Sequence, residues 1–327
     1  MFLKVEHNNK KYGSAASKKA AYIGVNIVRY LFFISFCFVI LYPFTYMIVG
    51  SFKSAADNLD PMVNWVPNGF NFENYTNAIA ALDFWNSLKN TFLYGIVSAL
   101  LQFCSCAVAA YGLARYKFRG RNVLYAVLIL NILVPSMMII TPSYLNFSYA
   151  DIFGILKGIS SIVGKELRPN LTESVWIFWI PSIFGVGLKG GLFIYIFSQF
   201  YKGLPKELEE AAWIDGAGPV KTFVRIVVPS SGAAAITVLL FSIVWHWNDY
   251  YLAQMYASTT PTLSVALRNL SVESVSNTIG GGSALANMSL KGILLAGCVL
   301  MVTPMIVFYV IIQRKFIASV ATSGIVG

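Results

Sequence analysis

The sequence predicts an all-α integral membrane protein with six transmembrane helices, because long apolar stretches recur along a chain that has few charges. Of the 327 residues, 57% are hydrophobic and only 12% are charged. A nearly charge-free stretch of about 20 apolar residues can span a bilayer as a helix. Such stretches predict one transmembrane domain over residues 30–312, with spans at approximately 30–50, 88–114, 123–149, 174–201, 229–251 and 292–312.

Positively charged residues predict how these spans are oriented. Residues 1–29 hold six Lys or Arg and one acid, and four positive charges with no acid lie between Arg115 and Arg121. Short cytoplasmic segments hold an excess of Lys and Arg, so the N-terminal tail 1–29 and the C-terminal tail 313–327 are both expected in the cytoplasm. The first apolar run exceeds the ~7–15 residues of a signal-peptide core, so we expect it to remain as the first span. The net charge of +10 then reflects topology and attraction to anionic membrane lipid, rather than affinity for nucleic acid.

Residues that usually carry catalysis or bind metals are sparse. His7 and His246 are too far apart in sequence to suggest a metal cluster. All four cysteines lie within predicted spans, where they are expected to pack as small apolar residues. The sequence contains no Walker A, G-x-S-x-G or H-E-x-x-H pattern. We therefore expect no catalytic residue, metal site or cofactor on this chain, and energy from ATP would have to arrive through another chain.

One polar segment between two apolar runs, residues 204–229, has the pattern of folded structure. Pro205 suits the first turn of a helix, where its missing N–H costs no hydrogen bond. Glu207 and Glu210 follow near that N-terminus, where the helix dipole favours carboxylates. Gly216 can adopt the left-handed conformation that ends a helix, and a second short helix can follow it. The segment therefore predicts a cytoplasmic helix–Gly–helix element between spans four and five.

The spacing of small and acidic residues within this segment is distinctive. The segment contains Glu210-Ala211-Ala212, three residues, Gly216, nine residues, Ile226, one residue and then Val228-Pro229. This spacing resembles the EAA loop of ABC-transporter permeases, with Val228 where the motif usually has Leu. The resemblance implies a coupling helix that docks into a groove of a cytoplasmic ATPase, mostly through shape, with the small faces of Ala211 and Ala212 in the groove. The residues that it assigns to this contact are Glu207, Glu210, Ala211, Ala212, Asp215, Gly216 and Pro229. The alternative is an ordinary amphipathic connector between two spans.

Three further segments narrow the resemblance. They are the stretch from Asn90 to Arg121, the run Trp247-Asn248-Asp249-Tyr250, and the C-terminal tail. These segments are similar to carbohydrate-type permeases of the same family. The tail is similar to that of the maltose-system MalG subunit and its relatives, and this implies a contact with the ATPase through Gln313, Arg314 and Gly324. The outside loop 151–173 is longer than is usual in that family, and its role stays open.

The resemblance implies a multi-pass permease subunit of a binding-protein-dependent sugar importer in a bacterial or archaeal plasma membrane. Its implied partners are a sister permease subunit, two ATPase subunits that bind ATP and Mg²⁺, and an extracytoplasmic sugar-binding protein. The alternative function is a secondary transporter driven by an ion gradient, which would favour an internal repeat and carboxylates within the spans. The predicted spans hold no carboxylate apart from Asp249, and the sequence has no internal repeat.

Aromatic and polar residues gather near the end of the fifth span. They are Trp245, Trp247, Asn248, Asp249 and Tyr250. Sugars bind against aromatic rings and to planar polar groups, so one interpretation is a substrate path. The other is an interfacial aromatic belt with a polar contact between helices, because Trp and Tyr favour that depth in any membrane protein. The sequence leaves both open, and it predicts neither the sugar nor its chain length.

Overall fold

The described part of the chain folds into helices and the turns that connect them. The computed structural model describes residues 15–60, 62–63, 65–151, 154–164, 167–280 and 282–323. Within these residues there is no β-strand. The helices of the first half are α1 (Ala15–Ser51), α2 (Ala55–Leu59), α3 (Glu73–Ala81), α4 (Phe84–Asn90), α5 (Val97–Arg115), α6 (Arg121–Leu133), α7 (Ser136–Ser148) and α8 (Ile155–Val163). Those of the second half are α9 (Trp176–Ile183), α10 (Gly190–Gly203), α11 (Glu207–Ile214), α12 (Pro219–Thr222), α13 (Val228–Ser230), α14 (Gly232–Trp247), α15 (Tyr251–Tyr256), α16 (Leu263–Arg268), α17 (Val272–Ile279) and α18 (Gly282–Ser323). Single π-helical turns at Thr91–Ile96 and Phe223–Val227 connect α4 to α5 and α12 to α13.

Several of these helices are long and apolar enough to cross a membrane. They are Tyr22–Ser51 within α1, Phe84–Arg115 from α4 through α5, and Gly282–Arg314 within α18. Two pairs of helices also qualify but are sharply bent: α6 with α7 by 103°, and Pro219–Ser230 with Gly232–Trp247 by 82°. The described residues therefore contain three candidate spans, or five if each bent pair crosses as one. The predicted class, an all-helical membrane protein, is confirmed, whereas six spans and two cytoplasmic termini remain predictions.

The third and fourth predicted spans, 123–149 and 174–201, are not continuous helices. The third bends between α6 and α7 at Val134, which is extended because the following proline disfavours helical backbone in the residue before it. The fourth is divided into α9 and α10, and both Gly185 and Lys189 have positive φ angles in the interval between them. Residues in the left-handed region end helices, so an uninterrupted apolar pattern does not guarantee an uninterrupted helix.

The fifth and sixth predicted spans, 229–251 and 292–312, have different ends in the structure. α14 stops at Trp247, and α15 begins separately at Tyr251. α18 begins at Gly282, before the predicted start, and continues to Ser323, beyond the predicted end. Hydropathy predicts which residues lie within the hydrocarbon layer. A helix can extend beyond that layer into water, because its backbone hydrogen bonds are made within the helix.

The larger hydrophobic core lies between α5 and α10. α5 contributes the small residues Ala107 and Ala110, and α10 contributes the buried rings of Phe193 and Phe197. Small side chains on one membrane helix let a second backbone approach closely, and here they also leave room for the rings. α14 joins the same core through Ala234. These three helices form the scaffold on which the candidate sites lie.

The predicted outside segment between the first two spans folds against α18. A second core joins α3 to α17 and α18 through residues such as Ala78 and Ile293. The Asn74 side-chain amide donates hydrogen bonds to the backbone carbonyls of Ser51 at 2.9 Å and Lys53 at 2.8 Å. Because buried amides of this kind satisfy otherwise unpaired carbonyls at the end of a helix, they hold α3 in a defined position beside α1.

Glu173 ties the loop 151–173 to the segment that follows α15. Its backbone is left-handed, with φ of 58°. Its carboxylate accepts four hydrogen bonds, from the N–H and hydroxyl of Ser258 at 3.1 and 2.7 Å and from those of Thr259 at 3.1 and 2.7 Å. Partial burial raises the pKa of this carboxyl, but the hydrogen bonds from Thr259 and Ser258 outweigh burial and hold its pKa below the usual value.

We expect this tie to weaken as the pH falls. Because the pKa of Glu173 is lowered in the folded protein, its contribution to stability is fully present above the pKa of an unfolded glutamate, ~4.3, and is lost as the pH falls through the folded value. The contribution is about 1 kcal/mol or less, since the carboxylate is partly exposed. Glu173→Gln is expected to lower the apparent Tm of the purified protein at pH 7 by about 2 °C and to remove this acid-dependent loss. The matched control is Glu273→Gln, an exposed acid in the first turn of α17. A Glu173→Gln protein that keeps the wild-type pH profile would contradict the assignment.

Candidate functional site

The 204–229 segment consists of α11, a glycine turn and α12. Gly216 has φ of 77°, and the Ala217 N–H donates to the Ala212 carbonyl at 2.9 Å, so the turn closes the end of α11. Pro219 opens α12, where the absence of an N–H costs nothing. Local sequence chemistry accounts for the shape of this segment, because each cap and turn uses a residue type suited to its backbone conformation.

Ala211 and Ala212 of α11 differ in their exposure. Ala211 is exposed, but Ala212 is only 5% exposed and packs against the rest of the chain. Consecutive residues on a helix are about 100° apart, so the two side chains lie on adjacent faces of α11. Ala212 is therefore nearly buried within this chain, and its role in the ATPase contact stays a prediction. The outward surface instead carries apolar side chains, including Trp213 and Ile214, the latter 86% exposed.

The other residues assigned to the contact lie around this surface. Glu207, Glu210, Asp215 and Gly216 are all exposed, and so is Pro229, which lies in α13. The exposed charges of the 204–229 segment have both signs, since Lys206, Lys221 and Arg225 are exposed as well as these acids. Gln313 and Arg314 lie near the end of α18, half-buried and exposed respectively, whereas Gly324 falls outside the described residues.

A buried ion pair joins the 204–229 segment to α5. Arg115 Nε lies 2.7 Å from Glu209 Oε1, and the two side chains are 7% and 6% exposed. The same guanidinium donates from Nη2 to the carbonyl of Leu204 at 2.8 Å. In the sequence, Arg115 indicates only the topology, and no pattern singles out Glu209. No local pattern pairs residues so far apart in sequence, so only the folded chain reveals this contact.

A cavity of about 260 Å³ is lined by residues of α5, α6, α7, α9, α10, α14 and α15, and its volume is close to the lower limit of ~300 Å³ for small-ligand pockets. Its polar and aromatic lining residues are Tyr94, Ser98, Asn131, Ser136, Ser143, Phe147, Phe178, Ser182, Lys189, Trp245, His246, Asp249, Tyr256 and Thr262. Ser98 is almost fully buried, and its hydroxyl has no hydrogen-bond partner among the described residues. Buried hydroxyls are normally paired, so the unpaired Ser98 hydroxyl is an exception beside the cavity. Within the described residues, no group of three or more His, Cys, Asp or Glu could hold a metal ion.

Only part of the predicted aromatic and polar group reaches this cavity. Trp245 and Asp249 line it, whereas Trp247, Asn248 and Tyr250 do not. Trp247 is 2% exposed and donates its indole N–H to the Met301 carbonyl at 3.2 Å. The Asn248 side chain donates to the Val244 carbonyl at 2.9 Å, and Tyr250 packs edge-to-face on the next tyrosine. Trp247 thus contacts α18, whereas the Asn248 bond lies at the end of its own helix, and both interpretations of this group stay open.

Asp249 is held in place by the start of α15. Its carboxylate accepts the N–H groups of Leu252 at 3.3 Å and Ala253 at 3.2 Å. Its backbone carbonyl accepts the hydroxyl of Ser264 at 2.6 Å. A carboxylate at a helix N-terminus is favoured by the dipole, so Asp249 is fixed at the cavity wall without a cationic partner on its own helix.

The interval between α9 and α10 forms another wall. Gly187, Lys189 and Gly191 line the cavity, and Lys189 has φ of 60°. The side-chain amide of Gln102 on α5 donates to the Leu188 carbonyl at 2.8 Å. Non-glycine residues with left-handed backbone cluster at functional sites. The sequence does not predict Lys189, Ser98 and His246 as a group, because only the folded chain brings together α5, the residue before α10 and α14.

Comparison with known proteins extends over most of the chain. A family model described as binding-protein-dependent transport system inner membrane component matches residues 106–322. The chain is 26% identical over 264 residues to the trehalose transport system permease protein SugB of Mycobacterium tuberculosis, which covers 80% of this chain and 84% of that protein. It is 27% identical over 289 residues to the melibiose/raffinose/stachyose import permease protein MelC of Bacillus subtilis, which covers 87% of this chain and 91% of that protein. A solved chain from a bacterial ABC transporter involved in the import of the acidic polysaccharide alginate has a TM-score of 0.67 and 21% identity, covering 89% of this chain and 96% of that chain. The last comparison shows a shared fold.

Proposed function

Because the chain belongs to the family of binding-protein-dependent transport system inner membrane components, we propose that it is a transmembrane permease subunit of an ATP-driven sugar importer. The observation that carries the proposal is the family match over residues 106–322, which includes both the 204–229 segment and most of the cavity lining. The names of relatives such as SugB and MelC support a sugar as the cargo. The sequence has no Walker A pattern, so ATP hydrolysis is assigned to separate ATPase chains that bind ATP and Mg²⁺.

The proposed arrangement has six spans with both termini in the cytoplasm. The broken pair α9 and α10 serves as the fourth span, and the 204–229 segment then lies on the cytoplasmic side. This topology places 16 of the 24 Lys and Arg in cytoplasmic segments, which agrees with the usual charge bias. The proposed partners are a sister permease subunit, two ATPase subunits and an extracytoplasmic sugar-binding protein, and the family description itself supports the last of these.

In the proposed mechanism, ATP binding draws two ATPase subunits together and the 204–229 segment passes the motion to the spans. The exposed side chains of Trp213 and Ile214, with Glu210 beside them, support a docking surface that offers apolar side chains and an acid to the partner. Such a combination suits a partner groove that has an apolar floor and basic residues at its rim. C-terminal residues Gln313, Arg314 and Gly324 are proposed to add a second contact with the ATPase.

The cavity is the proposed sugar-binding part of this subunit. Trp245 supplies an aromatic ring, Asp249 and Asn131 supply planar polar groups, and Ser98 supplies a hydroxyl with no partner among the described residues. A sugar presents apolar C–H faces and many hydroxyls, so a wall that combines rings with hydrogen-bonding groups is complementary to it. Trp247, Asn248 and Tyr250 are assigned to supporting contacts around this wall.

Asp249→Asn is expected to lower sugar uptake by about tenfold, because a hydrogen bond to a charged group contributes about 1.5–3 kcal/mol. Asparagine keeps the size of the side chain, but its single oxygen can accept only one of the two N–H groups that Leu252 and Ala253 donate to Oδ1 and Oδ2 of Asp249, so thermal stability is measured together with uptake. The measurement is ATP-driven uptake of labelled sugars by the complete importer in proteoliposomes. The matched control is Asn248→Ala, at the exposed neighbouring position that does not line the cavity.

The same experiment separates the proposed function from a secondary transporter. An ATPase that co-purifies and is required for uptake supports the importer subunit. Uptake by this chain alone, driven by a sodium or proton gradient, would overturn the importer assignment. Equal uptake by Asp249→Asn and wild type would leave the importer assignment standing but remove the cavity from the sugar path.

A further inference from the structure

The ion pair between Arg115 and Glu209 is the link between the 204–229 segment and the core helices. We propose that this pair is a positioning device that makes α11 move as one body with α5 and α10, and so sets where α11 meets the ATPase. The proposal rests on the proposed function, because it concerns how force reaches the spans. It assigns a role to two residues that the family motif of Glu210, Ala211 and Ala212 does not include.

One guanidinium group holds three segments of the chain together. Arg115 is the last residue of α5, Leu204 directly follows α10, and Glu209 lies in the first turn of α11. Arginine can make these contacts simultaneously because its donors form a rigid planar fork. Nε faces Glu209 Oε1 at 2.7 Å, and Nη2 donates to the Leu204 carbonyl at 2.8 Å. The pair is almost completely buried, so water and salt screen it less than an exposed pair.

The helices held by this pair reach the cavity. Beside the ion pair, the Tyr111 ring packs against the Phe223 ring with 4.9 Å between centroids, and edge-to-face on the Tyr201 ring with 6.1 Å between centroids. Farther along the same two helices, α5 and α10 share the larger core and contribute Ser98 and Gly191 to the cavity wall. A packed core transmits displacement because it does not deform continuously. A movement of α11 is therefore carried to the cavity through α5 and α10, in addition to the chain connection into α14.

Consecutive acids of α11 then have different tasks. Glu209 faces inward and is buried, whereas Glu210 is exposed and available to the ATPase. The pair need not add net stability, since a buried ion pair is often no more stabilising than apolar residues of similar size. The pair contributes to transport by fixing the orientation of α11 relative to α5 and α10, whereas a purely structural pair would affect only stability.

The test uses the complete importer and measures sugar molecules transported per ATP hydrolysed. Glu209→Gln and Arg115→Gln are each expected to keep the ATPase bound but to lower this ratio by at least about fivefold. The double variant is expected to be no worse than Arg115→Gln alone, because Arg115→Gln already breaks the contact that Glu209→Gln removes, together with the Leu204 contact. The matched control is Glu210→Gln, whose effect is expected to multiply with that of Arg115→Gln, since it acts on a different contact.

A further variant removes the pair without leaving an unpaired buried charge. Arg115→Met combined with Glu209→Met is expected to insert and to match wild type in thermal stability, yet to keep the low transport ratio. The position of α11 is read directly by cross-linking a cysteine at the exposed Ala211 to the ATPase, and the preferred cross-link is expected to shift in each variant that lacks the pair. A normal ratio and an unshifted cross-link in the double methionine variant would show a purely structural pair and overturn the inference. Multiplicative effects of Arg115→Gln and Glu209→Gln would overturn it as well.

The outcome also separates this inference from the proposed function. A wild-type complex without ATP-dependent uptake would overturn the proposed function, and the inference with it. A wild-type complex that couples normally, with all pair variants coupling equally well, would overturn the inference alone.

Discussion

Replacing Gly216 with proline is expected to leave the protein in the membrane and to abolish most ATP-driven uptake. Gly216 has φ of 77° and donates its N–H to the Trp213 carbonyl at 3.0 Å. Proline fixes φ near about −65° and has no N–H, so the substitution removes the turn and the hydrogen bond together. α11 and α12 then lose their relative orientation, while the apolar spans keep the residues that insert them.

Most of the ATP-driven uptake is expected to be lost, because proline cannot adopt the positive φ of this turn. Membrane insertion, co-purification of the ATPase and uptake are measured on the same preparation. Gly218→Ala is the matched control: Gly218 has an ordinary φ of −73°, and an added Cβ would meet nothing within 4 Å. If Gly216→Pro transports as well as Gly218→Ala and binds the ATPase normally, the glycine turn has no part in coupling.

Replacing Gly190 with alanine is expected to destabilise the protein and to impair uptake together. A Cβ on Gly190 would overlap the backbone carbonyl of Gly185, which cannot rotate away as a flexible side chain can. The interval between α9 and α10 must then open, and its residues Gly187 and Lys189 line the cavity. Overpacking of this kind costs about 1–3 kcal/mol, which corresponds to an apparent Tm lower by several degrees and uptake reduced by about tenfold.

Gly203→Ala provides the comparison for this prediction. Gly203 is the last residue of the same helix, α10, and an added Cβ would meet nothing within 4 Å. It is expected to behave as wild type in thermal unfolding and in uptake. Gly190→Ala protein with the same apparent Tm and uptake as Gly203→Ala would show that the close approach of Gly185 is not required.

Gly216→Pro tests a feature that the sequence predicts, whereas Gly190→Ala tests one that it does not. The left-handed turn at Gly216 follows from local chemistry, because few residues other than glycine adopt that conformation at the end of a helix. The contact of Gly190 with Gly185 follows from the break between α9 and α10, which the apolar pattern of residues 174–201 conceals. Periodicity and hydropathy indicate which residues are buried or exposed along the chain. They do not predict that the Gly185 carbonyl approaches Gly190 closely.

The candidate cavity shows the same division. The sequence offers the five aromatic and polar residues near the end of the fifth span equally as candidates for a substrate path. Only Trp245 and Asp249 line the cavity, and Trp247 packs inside the protein. The end of α14 at Trp247 turns the next residues in new directions, so a regular helical projection through residue 251 would misplace them. His246 and Lys189 join the cavity from positions that had no shared pattern.

The sequence by itself determined the helical membrane class, the charge bias and the helix–Gly–helix shape of residues 204–229, because apolar length, charge and turn chemistry act locally. Tertiary structure alone decided that Ala212 faces inward, that Glu209 pairs with Arg115 and that the fourth apolar run is divided. Each of these depends on which distant residue lies opposite. That is a matter of how helices pack, and close packing is a property of the folded chain rather than of any stretch of it.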